Sequence, residues 1–228
     1  MKSSRAAFLD KDGTLIEDVP YSVDPGSVRL MPGALEGLRL MHSAGYRLVL
    51  ISNQAGISQG RFTADELSLV ADRLRAILAG LGLSLHGFYF CPHDPAGTIA
   101  PYSIDCDCRK PQPGMLLRAA ADLDIDLRRS WMIGDILDDV EAGNRAGCRT
   151  VLVDNGGETQ WLRSPWRKPT LIAADLEAAA RGMIGAGEVA SDAGRPADAA
   201  LAGTAARGSS GDFEEVMPVR PSWEGGAL

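Results

Sequence analysis

Asp10 and Asp12 stand two residues apart in Asp10-Lys11-Asp12-Gly13-Thr14, directly after the apolar run at 6–9. Residues i and i+2 at a strand end project to the same side, so both carboxylates face one crevice. Carboxylates that close repel one another unless a cation or a shared proton intervenes. Gly13 lets the backbone approach a ligand closely, and Thr14 adds a hydroxyl. Taken alone, the pentapeptide also reads as a surface turn carrying solvated acids.

Two further apolar runs end in polar groups. After Ile51 come Ser52, Asn53 and Gln54, donors suited to a phosphate, and after Ile133 come Gly134-Asp135-Ile136-Leu137-Asp138-Asp139. Arg109-Lys110-Pro111 supplies cations between them. Carboxylates, hydroxyl and amide donors and a lysine, each following a strand, compose one constellation at a sheet edge, far more specific than any member.

Cys91, His93, Cys106 and Cys108 fall within 18 residues, spaced C-x-H-x12-C-x-C. In a reducing compartment such a cluster reads as metal binding before it reads as disulfides. Three thiolates and one imidazole make a closed tetrahedral set, the donor set of a structural zinc site. Cys106 and Cys108 are too close in sequence to pair well with each other. Cys148 reads as a small core residue, His42 and His86 as partly buried side chains, and Trp131, Trp161 and Trp166 as packing residues.

These groups need elements to hold them. Residues 6–9, 46–51, 87–90, 130–133 and 150–153, with a short run near Leu171, read as strands. Helices are expected at 32–44, opened by Pro32, at 63–78 with a Thr63/Glu66 capping box, at 114–123, at 139–146 and at 175–184. The alternation predicts an α/β doubly wound, Rossmann-like parallel sheet with helices on both faces, whose ligands bind beyond the C-terminal strand ends. Residues 185–228 carry seven acids against three bases and no apolar period, so a disordered acidic tail is expected beyond a domain at 1–184.

The 228 residues carry 23 Lys+Arg against 30 Asp+Glu, a net charge of −7, which disfavours a nonspecific nucleic-acid binder. An apolar content of 45% supports a real core. No stretch approaches the ~18–20 apolar residues needed to span a bilayer, and the run at 6–9 is too short for a signal-peptide core. A cytoplasmic monomer that binds neither membrane nor nucleic acid is expected.

FLDKDGT, SNQ, Lys110 and GDILDD closely resemble the four motifs of the haloacid dehalogenase-like phosphohydrolases. The CPH…CDCRKPQPG segment is similar to the zinc-carrying branch that holds heptose-bisphosphate and histidinol-phosphate phosphatases. The resemblance covers about residues 5–180. It implies Asp10 as nucleophile and Asp12 as general acid and base. It also implies Mg²⁺ held by Asp10, Asp135 and the backbone carbonyl of Asp12, and Zn²⁺ held by Cys91, His93, Cys106 and Cys108. Ser52 and Lys110 are implied at the phosphoryl oxygens, Asp139 as a support, and Asp138 in solvent. Asn53, Gln54 and Arg109 join them as substrate-binding candidates. A structural zinc would order the long loop from which Arg109 and Lys110 leave.

The spacing leaves no room for a cap domain, since 42 positions separate Asp10 from Ser52 and 58 separate Ser52 from Lys110. Selectivity then falls to loops 17–30 and 94–110. By the resemblance, Asp18 and Tyr21 lie where heptose enzymes contact substrate. Val19-Pro20 stands where many of those carry His-Gly, and Ile136 stands where some carry a basic residue. The implied substrate is a small phosphorylated sugar, with a heptose bisphosphate ahead of histidinol phosphate or another sugar phosphate. A DNA 3′-phosphatase would suit an open site but not this charge. A catalytically silent zinc-containing binding module would be expected to show a broken motif, and Asp10, Asp12, Lys110 and Asp135 are all intact.

Overall fold

The computed structural model describes residues 3–192. Its first strand, β1 (Arg5–Leu9), is apolar at every position after Arg5, as a strand covered on both faces requires. β2 (Tyr46–Asn53), β3 (Leu85–Cys91), β4 (Trp131–Gly134), β5 (Arg149–Val153) and β6 (Leu171–Ala173) complete a six-stranded sheet in the order β3-β2-β1-β4-β5-β6. Every pairing is parallel. The strand order reverses at β1, between β2 and β4, which opens a crevice at their C-terminal ends.

Successive side chains of each strand enter opposite faces. Ala7, Leu9, Leu48, Leu50, Ile133 and Val151 join one apolar cluster, while Ala6, Phe8, Val49, Ile51 and Met132 join the other. The helices α1 (Ala34–Ser43), α2 (Ala64–Gly80) and α5 (Leu176–Asp192) cover the first face. The second is covered by α3 (Gly114–Asp122) and α4 (Leu137–Ala146). Among the described residues no further domain is inserted between these elements.

Local signals explain most boundaries. Thr63 and Glu66 form the expected capping box on α2, the Thr63 hydroxyl accepting from Glu66 N at 3.2 Å and the Glu66 carboxylate from Thr63 N at 2.8 Å. α1 begins two residues later than expected, because Gly33 takes a left-handed conformation (φ 75°) and caps it in place of Pro32. α4 begins at Leu137 rather than 139, and α5 runs on to Asp192 rather than ending near 184. The tail expected from 185 is therefore helical to 192, and its remainder lies outside the described residues.

Side-chain placement corrects several expectations. Trp131 is fully buried, but Trp161 (45% exposed) and Trp166 (49%) lie on the surface of the long segment after β5. His42 and His86 are also exposed residues, although His86 Nδ1 accepts from Leu48 N at 3.3 Å. Cys148 is buried in the second cluster, as expected.

Candidate active site

Register brings the chemistry together. Leu9 of β1 pairs with Leu50 of β2 and with Ile133 of β4. Asp10, Ser52 and Asp135 therefore leave neighbouring strands at the same level, and Asp10 N donates to the Ile133 carbonyl at 2.9 Å. Lys110 enters from the loop before α3. Its Nζ donates to Asp10 Oδ1, pairs with Asp139 at 2.6 Å and donates to the Ile51 carbonyl at 3.1 Å.

The four groups at this centre are buried, with Asp10, Asp135, Asp139 and Lys110 each at most 8% exposed. Burial pushes the Asp10 carboxyl up to about 7; Lys110 opposes the shift, and Asp139 and Asp12 add to it. Asp135 is pushed up to about 6 by burial and then by the Asp10 charge, with the Thr14 hydrogen bond opposing. Asp139 is raised by burial as well. Burial alone would lower Lys110, but Asp10 and Asp139 hold its ammonium above the ordinary lysine range.

Oxygens of Asp10, Asp135 and Asp139 lie within 4.8 Å of one another, and one ammonium offsets the three carboxylates. Thr14 Oγ1 donates to Asp135 Oδ1 at 3.0 Å. Gly13 has φ 79°, and a Cβ there would lie 2.4 Å from Asp135 Oδ2, so only glycine fits beside that carboxylate. An all-oxygen, excess-negative cradle fits a hard divalent cation such as Mg²⁺, which binds through one or two carboxylates and leaves positions for phosphate and water.

Asp12 differs from the other acids in reaching solvent, with its side chain 30% exposed. Lys11 Nζ pairs with its Oδ1, and Gln54 Nε2 donates to its Oδ2 at 3.0 Å and to Ser52 Oγ at 2.7 Å. The carboxylate is thus held in place while remaining open to a ligand. A cleft beside it is lined by Lys11, Glu17, Ser22, Asp24 and Ser27.

Not every candidate faces that opening. Asn53 spends both polar atoms on the backbone of Lys110, donating to its carbonyl at 3.0 Å and accepting from its N–H at 2.9 Å. It anchors the backbone of the lysine. Arg109 turns toward the cysteine loop, donating to the His93 carbonyl at 3.1 Å and lying 3.5 Å from Asp94. Asp138 is half-buried and paired with Arg167 at 2.5 Å, not free in solvent. Asp18 lies close enough to Asp12 for burial and then that charge to raise its carboxyl. Tyr21 is exposed in a left-handed conformation (φ 57°), with the Arg61 guanidinium 5.1 Å over its ring.

The cysteine cluster assembles as its spacing suggested. The three sulfurs are 3.1 Å (Cys91–Cys108), 3.3 Å (Cys106–Cys108) and 3.6 Å (Cys91–Cys106) apart. His93 Nδ1 lies 3.3 Å from Cys108 and 3.6 Å from Cys91. These are not disulfide distances, which are near ~2.0 Å. A tetrahedral zinc with bonds of about 2.3 Å places its sulfurs ~3.8 Å apart, so the donors fit that ion once the sulfur separations widen by ~0.2–0.7 Å. Hydrogen bonding among the crowded sulfurs pushes Cys91 up to about 12, raises Cys108 and lowers Cys106. Arg109 N donates to Cys106 Sγ at 3.3 Å, one residue before Lys110, so the cluster and the acidic centre share a backbone segment.

Lys11, Asn155, Glu158 and Arg167 were missed by sequence reasoning. Lys11 sits within the DKDGT motif and was within reach of it. The other three make contacts more than 20 positions away, for which no local pattern exists.

A family model for HAD-hydrolase-like proteins matches residues 107–179. The D-glycero-β-D-manno-heptose-1,7-bisphosphate 7-phosphatase of Yersinia pestis is 40% identical over 156 residues, 68% of this chain and 83% of that protein. Its Pasteurella multocida counterpart is 42% identical over 153 residues, 67% of this chain and 83% of that protein. Among solved structures, the D,D-heptose 1,7-bisphosphate phosphatase of B. bronchiseptica, complexed with magnesium and phosphate, is 29% identical with a TM-score of 0.65. That match covers 80% of this chain and 99% of the other.

Proposed function

The chain belongs to the haloacid dehalogenase-like phosphohydrolases, in the branch of the heptose-1,7-bisphosphate 7-phosphatases, and is a phosphoric monoester hydrolase. From that premise we propose that it removes a phosphoryl group from a small phosphorylated sugar, D-glycero-D-manno-heptose 1,7-bisphosphate, by way of a phosphorylated Asp10. The observation that carries the reading is Lys110, buried between Asp10 and Asp139, together with an Asp12 that is held in place yet open to solvent.

Lys110 and Ser52 bind the phosphoryl oxygens and orient phosphorus toward Asp10. An Asp10 carboxylate oxygen attacks phosphorus in line as the bond to the sugar oxygen breaks. The electron pair leaves on that oxygen, which takes the proton from the Asp12 carboxyl. Asp12, now a carboxylate, accepts a proton from water as the water oxygen attacks phosphorus. The bond to Asp10 breaks, and phosphate leaves with both aspartates regenerated. Gln54 and Lys11 hold Asp12 at the leaving-group side through both transfers.

The carboxylates of Asp10 and Asp135, with the carbonyl of Asp12, would hold Mg²⁺, which when bound offsets the repulsion between an anionic nucleophile and an anionic phosphate. Cys91, His93, Cys106 and Cys108 would hold Zn²⁺ and so fix the segment that delivers Lys110. Loops 17–30 and 94–110 select the substrate, Asp18 and Tyr21 among them. The reading places the enzyme in the cytoplasm, in keeping with four free cysteines. Among the described residues no helix is long and apolar enough to cross a membrane.

A phosphorylated amino alcohol such as histidinol phosphate is the second reading, favoured by Glu17 and Asp24 in the cleft beside Asp12. A phosphate-release screen with Mg²⁺ over sugar bisphosphates, sugar monophosphates and histidinol phosphate, with Asp10→Asn as blank, separates the two. A preference above about tenfold in kcat/KM, or ~1.4 kcal/mol, identifies the class. Equal release by wild type and blank from every compound refutes the enzyme reading.

A further inference from the structure

The segment after β5 lies outside all the motif regions, yet it closes on the acidic centre. Asn155 donates from Nδ2 to the Gly13 carbonyl at 2.7 Å, and its Oδ1 accepts from Gly157 N at 3.1 Å. Gly157 is thereby held against Asp135, so that a Cβ built on it would lie 2.1 Å from Oδ2 and 2.9 Å from Cγ. Glu158 then ties the segment to α4, its Oε2 accepting at 2.7 Å from the N–H of Leu137, two residues after Asp135. Slight burial would raise the Glu158 carboxyl, but the N–H donors of Leu137, Gln160 and Trp161 outweigh it and hold it below the usual carboxylate range.

The two glycines beside Asp135 are required for different reasons. Gly13 has φ 79°, so its backbone alone restricts the position. Gly157 is not among the residues with positive φ, so no left-handed backbone calls for glycine there. The three atoms nearest to a Cβ at Gly157 all belong to the Asp135 side chain. Oδ1 of that carboxylate takes the Thr14 hydroxyl, while Oδ2 is confined between Gly13 and Gly157. Both oxygens are fixed, one by a hydrogen bond and one by contact.

We propose that Asn155, Gly157 and Glu158 form a positioning strap that sets the orientation of the Asp135 carboxylate and, through it, the affinity of the acidic centre for Mg²⁺. This rests on Asp135 holding that ion, as in the reading above. None of the three touches the reacting atoms. Residues that orient a metal-holding carboxylate typically govern affinity by about 10- to 100-fold.

Calorimetric titration of the full-length, substrate-free enzyme with Mg²⁺ tests this, using wild type, Gly157→Ala, Asn155→Ser and Gly80→Ala. Gly80 ends α2 and meets open space at its Cβ position, so its alanine variant is the control. Gly157→Ala is expected to raise the Mg²⁺ Kd at least about tenfold, with Gly80→Ala matching wild type. Melting in chelator reports whether each variant is folded. A wild-type Kd in folded Gly157→Ala overturns the strap. If that variant does not fold, Asn155→Ser decides, a tenfold rise supporting the strap and a wild-type Kd overturning it. Wild-type enzyme that binds no Mg²⁺ overturns the assignment of Asp135 as well, which separates the two failures.

Discussion

Asp10→Asn is expected to stabilise the metal-free enzyme while abolishing its activity. Burial holds the Asp10 carboxyl at about 7 in the folded chain, against 3.8 for the free group. A raised folded-state pKa means that the native state binds the proton more tightly than the unfolded one. Stability is therefore gained as pH falls through 7 and lost as it rises. Well above pH 7 the ionised carboxylate costs the native state about 4 kcal/mol, the shift of ~3 units multiplied by 1.36 kcal/mol. Asparagine has the shape of the protonated acid and does not incur that cost. At pH 5 the acid is already protonated when folded, and the gap shrinks to less than half of that. For a domain of this size 1 kcal/mol moves the midpoint by ~2–4 °C, so the variant should melt roughly 10 °C above wild type at pH 8 in chelator. The assay is thermal melting of both proteins from pH 8 to pH 5, with and without Mg²⁺. Saturating Mg²⁺ should narrow the gap at pH 8 by stabilising wild type more. An Asn variant that melts at or below wild type at pH 8 without metal, or a gap that does not narrow by pH 5, refutes the reasoning.

Thr14→Val keeps the shape of a buried side chain but removes its hydrogen bond to Asp135. A bond to a charged group is worth about 1.5–3 kcal/mol, so Mg²⁺ activation should need ~10- to 100-fold more ion, with Thr14→Ser close to wild type; equal requirements in Thr14→Val and wild type would contradict this. Asn53→Leu removes both bonds to the Lys110 backbone, and kcat/KM should fall about 30- to 1,000-fold, at ~1–2 kcal/mol per bond, while Mg²⁺ affinity holds. Steady-state kinetics beside a Mg²⁺ titration separates the two effects. Zinc removal by a thiol-compatible chelator should lower both the melting temperature and kcat/KM, since Cys106 and Lys110 share one short segment. Elemental analysis showing zinc-free protein at full activity would sink that link.

The acidic centre was legible because its parts are local. An i, i+2 pair after a strand, SNQ after a second and GD after a third each announce themselves, and parallel register brings all three to one edge. The zinc-type cluster was legible because thiolates and imidazole at short spacing have few other uses. Roles decided by distant partners were not legible. Asn53 reads as a phosphate donor, but its hydrogen bonds to the backbone of Lys110, 57 positions away, have no local signal. Arg109 sits beside Lys110 in sequence but turns to His93 and Asp94. Trp161 and Trp166 read as packing residues, but how far they are covered depends on a long segment tied down by the distant contacts of Asn155, Glu158 and Arg167, and there both side chains are about half exposed.

The account stands on a phosphoryl group carried by Asp10. Enzyme mixed with an equal amount of its best substrate, quenched in acid within one turnover, digested and weighed, reports it directly. The account predicts that the peptide containing Asp10 gains the mass of one phosphoryl group, that hydroxylamine removes it, and that Asp10→Asn never acquires it. Full phosphate release with no modified peptide at any quench time, or the added mass on another residue, would contradict it.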